Sequence, residues 1–580
     1  VYHSDRMNRP MSPTPKKLLV FALLLLGLAG FVLAQDEPPD ESAVEDVFID
    51  RVDVNVVNVD VYVTDKQGNR VTDLSAEDFV VTENGKPMPV SYFYRVEGGR
   101  RLRLAVEPEA GASEGEGALE PAVEEVELAE DQRLHLVVYI DNQNVRPINR
   151  NRVLGDLRRF LIEKLDREDR VMLVTYDRSL KVEQGFTSDI RLLAQRTFDL
   201  EKRTGGGVLR DSERNQVIDL IDDARNEFEA VSHARMYAQS VENDLTFTLR
   251  ALREITDSIS GLPGRKAVLY VSDGLPMVAG QDMFFAVDEK FGARSNGIME
   301  SFNFDFNRKF QELAAEANAG GITYYTLDAR GLEPPTAGSA EFRGRDIRYA
   351  ADRTRIANLQ NTLRFLAQET GGLAIVNTNN PFNMLERVAD DFDTYYSLGY
   401  SPAHYGDGRY YRIKVDVPGP KGKGLIVRHR EGYRDLSSQA RMTDGTMASL
   451  FYDYSSNPLD VALEFEPEQR REDGHYLVPI QVQVPMGNMA MIPAEETWEG
   501  RLMIYVGAMD DKGGTSPVQQ MPVQVSIPKD RIDHARTQSY VYTITLLMRA
   551  GPQRVAVGVR DEIAAEESFV NRQLVLGRRG

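Results

Sequence analysis

From Val52 to Val63 the chain reads VDVNVVNVDVYV, a period-two alternation that predicts a β-strand with Val52, Val54 and Val56 on one face. A turn at Lys66-Gln67-Gly68-Asn69, a short apolar run at Phe79-Val80-Val81, a second turn at Asn84-Gly85 and a strand over Val90–Arg95 follow. Short strands between glycine turns predict a small β-sandwich-like module over 46–100. The pattern lapses between Glu107 and Asp131, where ten acidic residues occur without a Lys or Arg. A stretch of that composition buries too little apolar surface to repay the entropy of ordering, so 101–133 reads as a flexible acidic linker.

At Leu134 the pattern changes. LHLVVYI (Leu134–Ile140), VMLVTY (Val171–Tyr176), AVLYVS (Ala267–Ser272) and Ile322–Leu327 are continuous apolar runs of strand length, and a third short strand reaches Phe186. Between them apolar residues recur at helical spacing: Val153, Leu154, Leu157, Phe160 and Leu161; Arg191–Leu200; Asp211–Ser260; Phe310, Leu313, Ala314 and Ala317 before Gly320-Gly321; and Ile356, Leu359, Leu363 and Leu366 before Gly371-Gly372. Leu373–Val376 is a further strand, and Pro381 opens a last helix through Leu385, Val388 and Phe392. Strands without a polar face, alternating with amphipathic helices, predict an α/β fold with a doubly wound, mostly parallel sheet over 134–393. Ligands bind such sheets outside the carboxyl ends of the strands, where Asp141 and Asp273 fall. Period two returns over Tyr395–Tyr400, Tyr410–Val417 and Leu425–Arg430, a β extension at 394–436. Strands from Tyr476 to Val559 predict a C-terminal β-sandwich over 437–580.

Lys16 and Lys17 precede a 17-residue apolar run, Leu18–Ala34, which ends with Val32 and Ala34 spaced as at a small-residue cleavage site. These are the parts of a secretory signal peptide over 1–34, with Met11 its natural start. As a helix the run spans roughly 25 Å, short of the roughly 30 Å hydrocarbon core, so a cleaved signal is favoured over a retained anchor. No later run approaches spanning length. The expected location is therefore outside the cytoplasm: periplasm, outer-membrane surface or extracellular. A polar segment with Pro38-Pro39 joins the signal to the first strand.

A formal charge of −20 argues against a nucleic-acid partner, which needs clustered Lys and Arg. It keeps the chain soluble and leaves room for a basic partner. With no cysteine, disulfides, thiolate metal sites and a Cys nucleophile are excluded.

Three groups of residues together resemble the von Willebrand factor A-related family of exported bacterial proteins. The first is VDVYVTDKQGNRVTDLSAEDFVVTENGKPMPVSYF at Val59–Phe93. The second is YIDNQN at Tyr139–Asn144 with GFTSD at Gly185–Asp189 and YVSDG at Tyr270–Gly274. The third is YYSLGYSP at Tyr395–Pro402 with REGY at Arg430–Tyr433. The resemblance covers roughly 46–436 and implies an A-type domain with a binding role and no established catalytic activity.

It also implies a cation question, because A-type domains often hold a divalent ion such as Mg²⁺ through a D-x-S-x-S motif, a Thr and a second Asp. Asp141 and Asp273 match the two carboxylates. The serine positions hold Gln143 and Val145, and the loop around Thr204-Gly205-Gly206-Gly207 offers no secure Thr ligand. The expectation is a degenerate metal site, no cofactor, and a partner-binding rim of Asp141, Asn142, Gln143, Asn144, Thr204, Asp273 and Gly274. In that reading the two carboxylates cap helices or order loops.

Active-site signatures do not appear. His135, His233, His404, His429, His475 and His534 lie in separate segments, and no H-E-x-x-H, G-x-S-x-G or phosphate-loop motif is present. The expected function is non-enzymatic protein binding by an exported adhesion or envelope scaffold, with an unknown protein partner. The alternatives are a hydrolase of an extracellular polymer with β-sandwich accessory modules, and a structural component of a surface assembly.

Overall fold

Five strands open the described chain: β1 (Val57–Thr64), β2 (Val80–Glu83), β3 (Lys86–Met88), β4 (Tyr92–Glu97) and β5 (Arg100–Arg103), with β6 at Glu124–Val126. The computed structural model describes residues 56–97, 100–103, 124–126, 133–165, 169–292, 296–332 and 347–577. The signal segment 1–34 and the Pro38-Pro39 segment lie outside the described residues, as do Val52 and Val54. In β1 the buried valines are Val57, Val59, Val61 and Val63, while Val56 is only half-buried. The doublet Val56-Val57 shifts the alternation by one residue, so the core face is the odd-numbered one, not the face of Val56. Asn84 and Gly85 turn between β2 and β3 with φ of 47° and 80°, the paired left-handed conformation of a two-residue hairpin. Of the acidic 101–133 stretch only 101–103, 124–126 and 133 are described; β5 and β6 there are strands, added in turn to the edge of β4, and the rest of the expected linker lies outside the described residues. Backbone pairing to an open sheet edge requires no apolar face.

The central segment runs β7 (Leu134–Asp141), α1 (Pro147–Lys164), β8 (Arg170–Tyr176), β9 (Leu180–Thr187), α2 (Ile190–Glu201), α3 (Gly207–Asp223) and α4 (Glu227–Ser260). It continues through β10 (Arg265–Ser272), α5 (Gln281–Phe291), α6 (Gly297–Ser301), α7 (Asn307–Ala319), β11 (Ile322–Asp328), α8 (Ile347–Glu369), β12 (Ala374–Ile375) and α9 (Phe382–Asp393). The strands form one sheet in the order β12-β11-β10-β7-β8-β9. All neighbours are parallel except β9, which returns antiparallel along the edge of β8. Every residue of β7 is buried, because the sheet is covered on both faces. Val137 and Tyr139 pack with α3, α4, α5, α7 and α8. Leu136, Val138 and Ile140 pack with α1, α2 and α9. Removing a core side chain such as Leu157 costs about 2–5 kcal/mol. Asp189 starts α2 by accepting from the backbone N–H groups of Arg191 (3.0 Å) and Leu192 (3.1 Å). Asn226 does the same for α4 through Glu229 N–H, 3.0 Å away.

After α9 come β13 (Tyr395–Tyr400), β14 (Tyr410–Asp416), β15 (Ile426–Arg428) and β16 (Gly432–Arg434). These strands share sheets with the N-terminal ones: β15-β1-β13-β4-β5-β6 in one and β16-β14-β2-β3 in the other. A single core joins Val59, Val61, Phe79 and Phe93 to Tyr396, Leu398 and Ile413. The central segment is thus inserted between two halves of one β unit.

The last part begins with α10 (Ser438–Tyr452), where sequence patterning suggests only strands. There follow β17 (Ala462–Phe465), β18 (Gln469–Arg470), β19 (Tyr476–Pro485), β20 (Ile492–Pro493), β21 (Thr497–Asp510), β22 (Gln519–Pro528), α11 (Ile532–Ala535), β23 (Ser539–Met548), β24 (Gly551–Asp561) and β25 (Glu567–Leu576). They build two antiparallel sheets, one of β17, β18, β19 and β23 and one of β20, β21, β22, β24 and β25. Alternate residues such as Val478, Ile480, Ile504 and Val557 fill the space between. The fold is mixed α/β, with a sheet-rich C-terminal region.

Candidate functional site

Parallel register carries the ends of β7, β10 and β11 to one edge of the central sheet: Val271 lies beside Ile140, and Ser272 beside Asp328. Asp141 and Asp273 therefore emerge as neighbours, as the strand-end positions predict. Asp141 is fully buried. Its Oδ1 accepts from Asn144 N–H (3.1 Å), and its Oδ2 from Asn144 Nδ2 (2.8 Å), Ser272 Oγ (3.4 Å) and, at short range, the Tyr270 hydroxyl. Burial raises its pKa against the pull of these donors. Asp273 accepts from the Arg146 backbone N–H (2.9 Å) and from Asn149 Nδ2 (3.1 and 3.0 Å). Arg146 is the N-cap residue of α1, so Asp273 satisfies an orphan donor at the start of that helix. Burial pushes its carboxyl up to about 7 despite these hydrogen bonds.

The remaining predicted rim residues knit loops together. Asn142 donates from Nδ2 to the Thr204 carbonyl (2.7 Å), and its own carbonyl accepts from Gly206 N–H (2.9 Å). Gln143 N–H donates to the Tyr176 carbonyl at the end of β8 (3.0 Å). The Asn144 carbonyl accepts from Asp273 N–H (3.1 Å). Gly274 has φ +104°, and a Cβ there would lie 2.8 Å from Leu359 Cβ, so both backbone and space require glycine. Thr204 is exposed and meets Asn142 through its carbonyl, not its hydroxyl.

This arrangement fits a hard divalent cation poorly. Both oxygens of Asp141 and both of Asp273 accept from protein donors. Val145 is buried and cannot ligate. A hard cation would have to displace these donors from the carboxylate oxygens before it could bind them.

Sequence reasoning missed the residue that organises the loops. Arg150, 1% exposed, donates to the carbonyls of Arg203 (2.7 Å), Glu201 (3.4 Å) and Thr204 (3.4 Å) and, at short range, to Asn142 Oδ1. Its signal was available: it precedes Val153, Leu154 and Leu157 at three, four and seven residues, on the buried face of α1. Asp328 and Arg330 were also missed. They pair bidentately at 2.9 and 2.8 Å, both buried, at the end of β11. A cleft of about 80 Å³ opens beside Asn144 and Asp273, and is lined by Arg210, Asp211, Asp244 and Arg355. These four are mutually paired, Arg210 to Asp244 and Arg355 to Asp211, each at 2.8 Å.

No family model matches the chain, and no curated protein matches it. Among solved structures, the chain is similar to an aerotolerance-related membrane protein from Bacteroides fragilis carrying multiple mutations to serines. The identity is 10%, the match covers 45% of this chain and 98% of that one, and the TM-score is 0.20. The PilB minor pilin of Streptococcus sanguinis, as its D319A mutant, is 10% identical over 59% of this chain and 87% of that one, with a TM-score of 0.21. Three N-terminal domains of the type V pili tip protein Mfa5 from Porphyromonas gingivalis are 9% identical over 90% of this chain and 77% of that one, with a TM-score of 0.24. Likenesses at these scores carry no argument about what this chain does.

Proposed function

We propose that the protein is an exported, non-enzymatic binding protein that recognises a protein partner at the carboxyl edge of its central sheet, without a metal ion. The central segment is read as an A-type domain with a degenerate cation site, which rests on the resemblance of Tyr139–Asn144, Gly185–Asp189 and Tyr270–Gly274 and on the strand order. Export rests on the signal-peptide pattern at Lys16–Ala34. The observation that supports the binding reading is the set of large exposed apolar side chains at the starts of α1 and α3 and just after β11. Ile148 is 77% exposed, Val208 60%, Leu209 59% and Leu332 58%. Single exposed apolar residues mean little. These four stand in the first turns of α1 and α3 and in the segment after β11, around a floor fixed by Asp141, Arg150 and Asp273. Apolar anchors on a rigid polar floor are the composition of a protein-recognition surface.

The test places a photo-crosslinking amino acid at Ile148, Val208, Leu209 or Leu332 of the full chain in its native cells, with Leu547 on the C-terminal sandwich as control. Leu547 is 55% exposed. Discrete adducts from rim positions and none from Leu547 are expected. Adducts from Leu547 alone, or none from the rim, would refute the reading.

A further inference from the structure

Away from the rim, the loop between β13 and β14 folds back over the smaller of the two shared sheets and lays His404 flat on Tyr411, with ring centroids 3.6 Å apart and an interplanar angle of 7°. Gly406 and Gly408, with φ of 64° and 72°, turn the loop so that Asp407 comes round to the same side. Asp435, just past β16, completes the group: its Oδ2 lies 2.9 Å from His404 Nδ1 and accepts from Asp407 N–H at 3.3 Å. One ligand atom from each of His404, Asp407 and Asp435 lies within 4.8 Å of the others.

The opposite nitrogen of the imidazole is also fixed. His404 Nε2 lies 3.0 Å from Glu83 Oε1 at the end of β2. The other oxygen of Glu83 accepts from the Tyr400 (2.9 Å) and Tyr433 (2.8 Å) hydroxyls. A carboxylate thus faces each ring nitrogen, and an ion that displaces the proton between Nδ1 and Asp435 would find Nε2–H still held by Glu83, which two phenols hold in turn. This is the outer-shell arrangement that orients a histidine for a metal ion. Glu83 and Asp435 are both buried, while Asp407 is exposed, so the group has a closed side and an open one. The group gathers three carboxylates around one imidazole, so a positive charge is favoured among them, and a divalent ion at Nδ1 would supply it in place of the imidazole's second proton. One imidazole with two carboxylates suits a borderline transition ion better than Mg²⁺ or Ca²⁺.

We propose that His404 Nδ1, Asp407 and Asp435 form a binding site for a divalent transition metal ion of the Zn²⁺ class, with Glu83 as positioning residue and an outward coordination position left for water or a partner's side chain. The ion would tie β2, from the N-terminal half of the β unit, to the β13–β14 loop and β16 of the other half. The inference does not depend on the rim reading above.

The test uses the full chain, stripped with a chelator and titrated with Zn²⁺ by calorimetry, and with Co²⁺ for its visible absorption bands. Wild type should take up one equivalent of Zn²⁺ and give Co²⁺ bands of a nitrogen-oxygen site. Asp407→Asn, at an exposed position that leaves the fold intact, should weaken Zn²⁺ binding at least tenfold. His404→Gln should abolish the Co²⁺ bands, and Glu83→Gln should weaken binding roughly tenfold. No saturable Zn²⁺ uptake by wild type would overturn the proposal. Uptake that Asp407→Asn and His404→Gln leave unchanged would overturn it as well.

Discussion

Replacing Asp273 by Asn tests whether the rim carboxylate is held by the protein or awaits an ion. Burial moves its carboxyl from the usual 3.8 to about 7. That corresponds to about 4 kcal/mol in favour of the protonated form, at about 1.4 kcal/mol per pH decade. A carboxyl raised in the folded state contributes stability that is complete below about pH 4 and is lost as pH rises through about 7. Asn keeps an oxygen for Arg146 N–H but does not titrate. Relative to wild type, Asp273→Asn should therefore gain stability progressively between pH 4 and 7, by up to about 4 kcal/mol. Asp273→Ala strands the Arg146 and Asn149 donors and should lie about 1–3 kcal/mol below Asp273→Asn at every pH. Hydrogen exchange of peptides from β7 and β10 reads this locally, which matters in a chain whose only Trp, Trp498, sits in the distant β21. A flat difference between Asp273→Asn and wild type across this range would refute the reasoning. So would a carboxylate whose ionised form is stabilised by added Mg²⁺.

Three further outcomes are expected. Calorimetric titration with Mg²⁺ should give no saturable heat that Asp141→Ala removes; micromolar binding lost in that variant would contradict the described hydrogen bonding. Gly274→Ala should lower stability by about 1–3 kcal/mol, seen as a reduced Tm, because the backbone is left-handed and Leu359 occupies the Cβ position. His404 has its pKa raised: burial opposes the charge, but Asp435 and Glu83 outweigh it. Its contribution to the metal-free protein is then full below about pH 6.5 and lost as pH rises through the elevated value, so protection of the β13–β14 loop should fall with rising pH in wild type and not in His404→Gln.

The central sheet was legible because strands covered on both faces read as unbroken apolar runs, and Asp141 and Asp273 could be placed at strand ends from the same runs. The shared sheets of β1 and β13 were not, since long-range antiparallel pairing leaves no local mark on either segment. Helix α10 escaped notice because its buried positions include Gly445, Thr446, Ala448 and Ser449, small or polar residues that give no apolar period. The His404 group was hidden for a related reason. Its partners Asp435 and Glu83 stand 31 and 321 residues away, and only the folding-back of the loop unites them. The roles of Asp141 and Asp273 in ordering loops and starting a helix were readable from their strand-end positions, but Arg150, which donates to the carbonyls of Glu201, Arg203 and Thr204, was not singled out.

The binding of a partner at the rim is measured most directly by the affinity of the crosslinked partner for the full chain carrying Val208→Asp and Leu209→Asp together. Two apolar anchors of this size contribute about 1.5–3 kcal/mol each when buried, so the dissociation constant should rise about 100-fold or more, with Leu547→Asp leaving it unchanged. An affinity equal to wild type in the rim double variant would contradict the account.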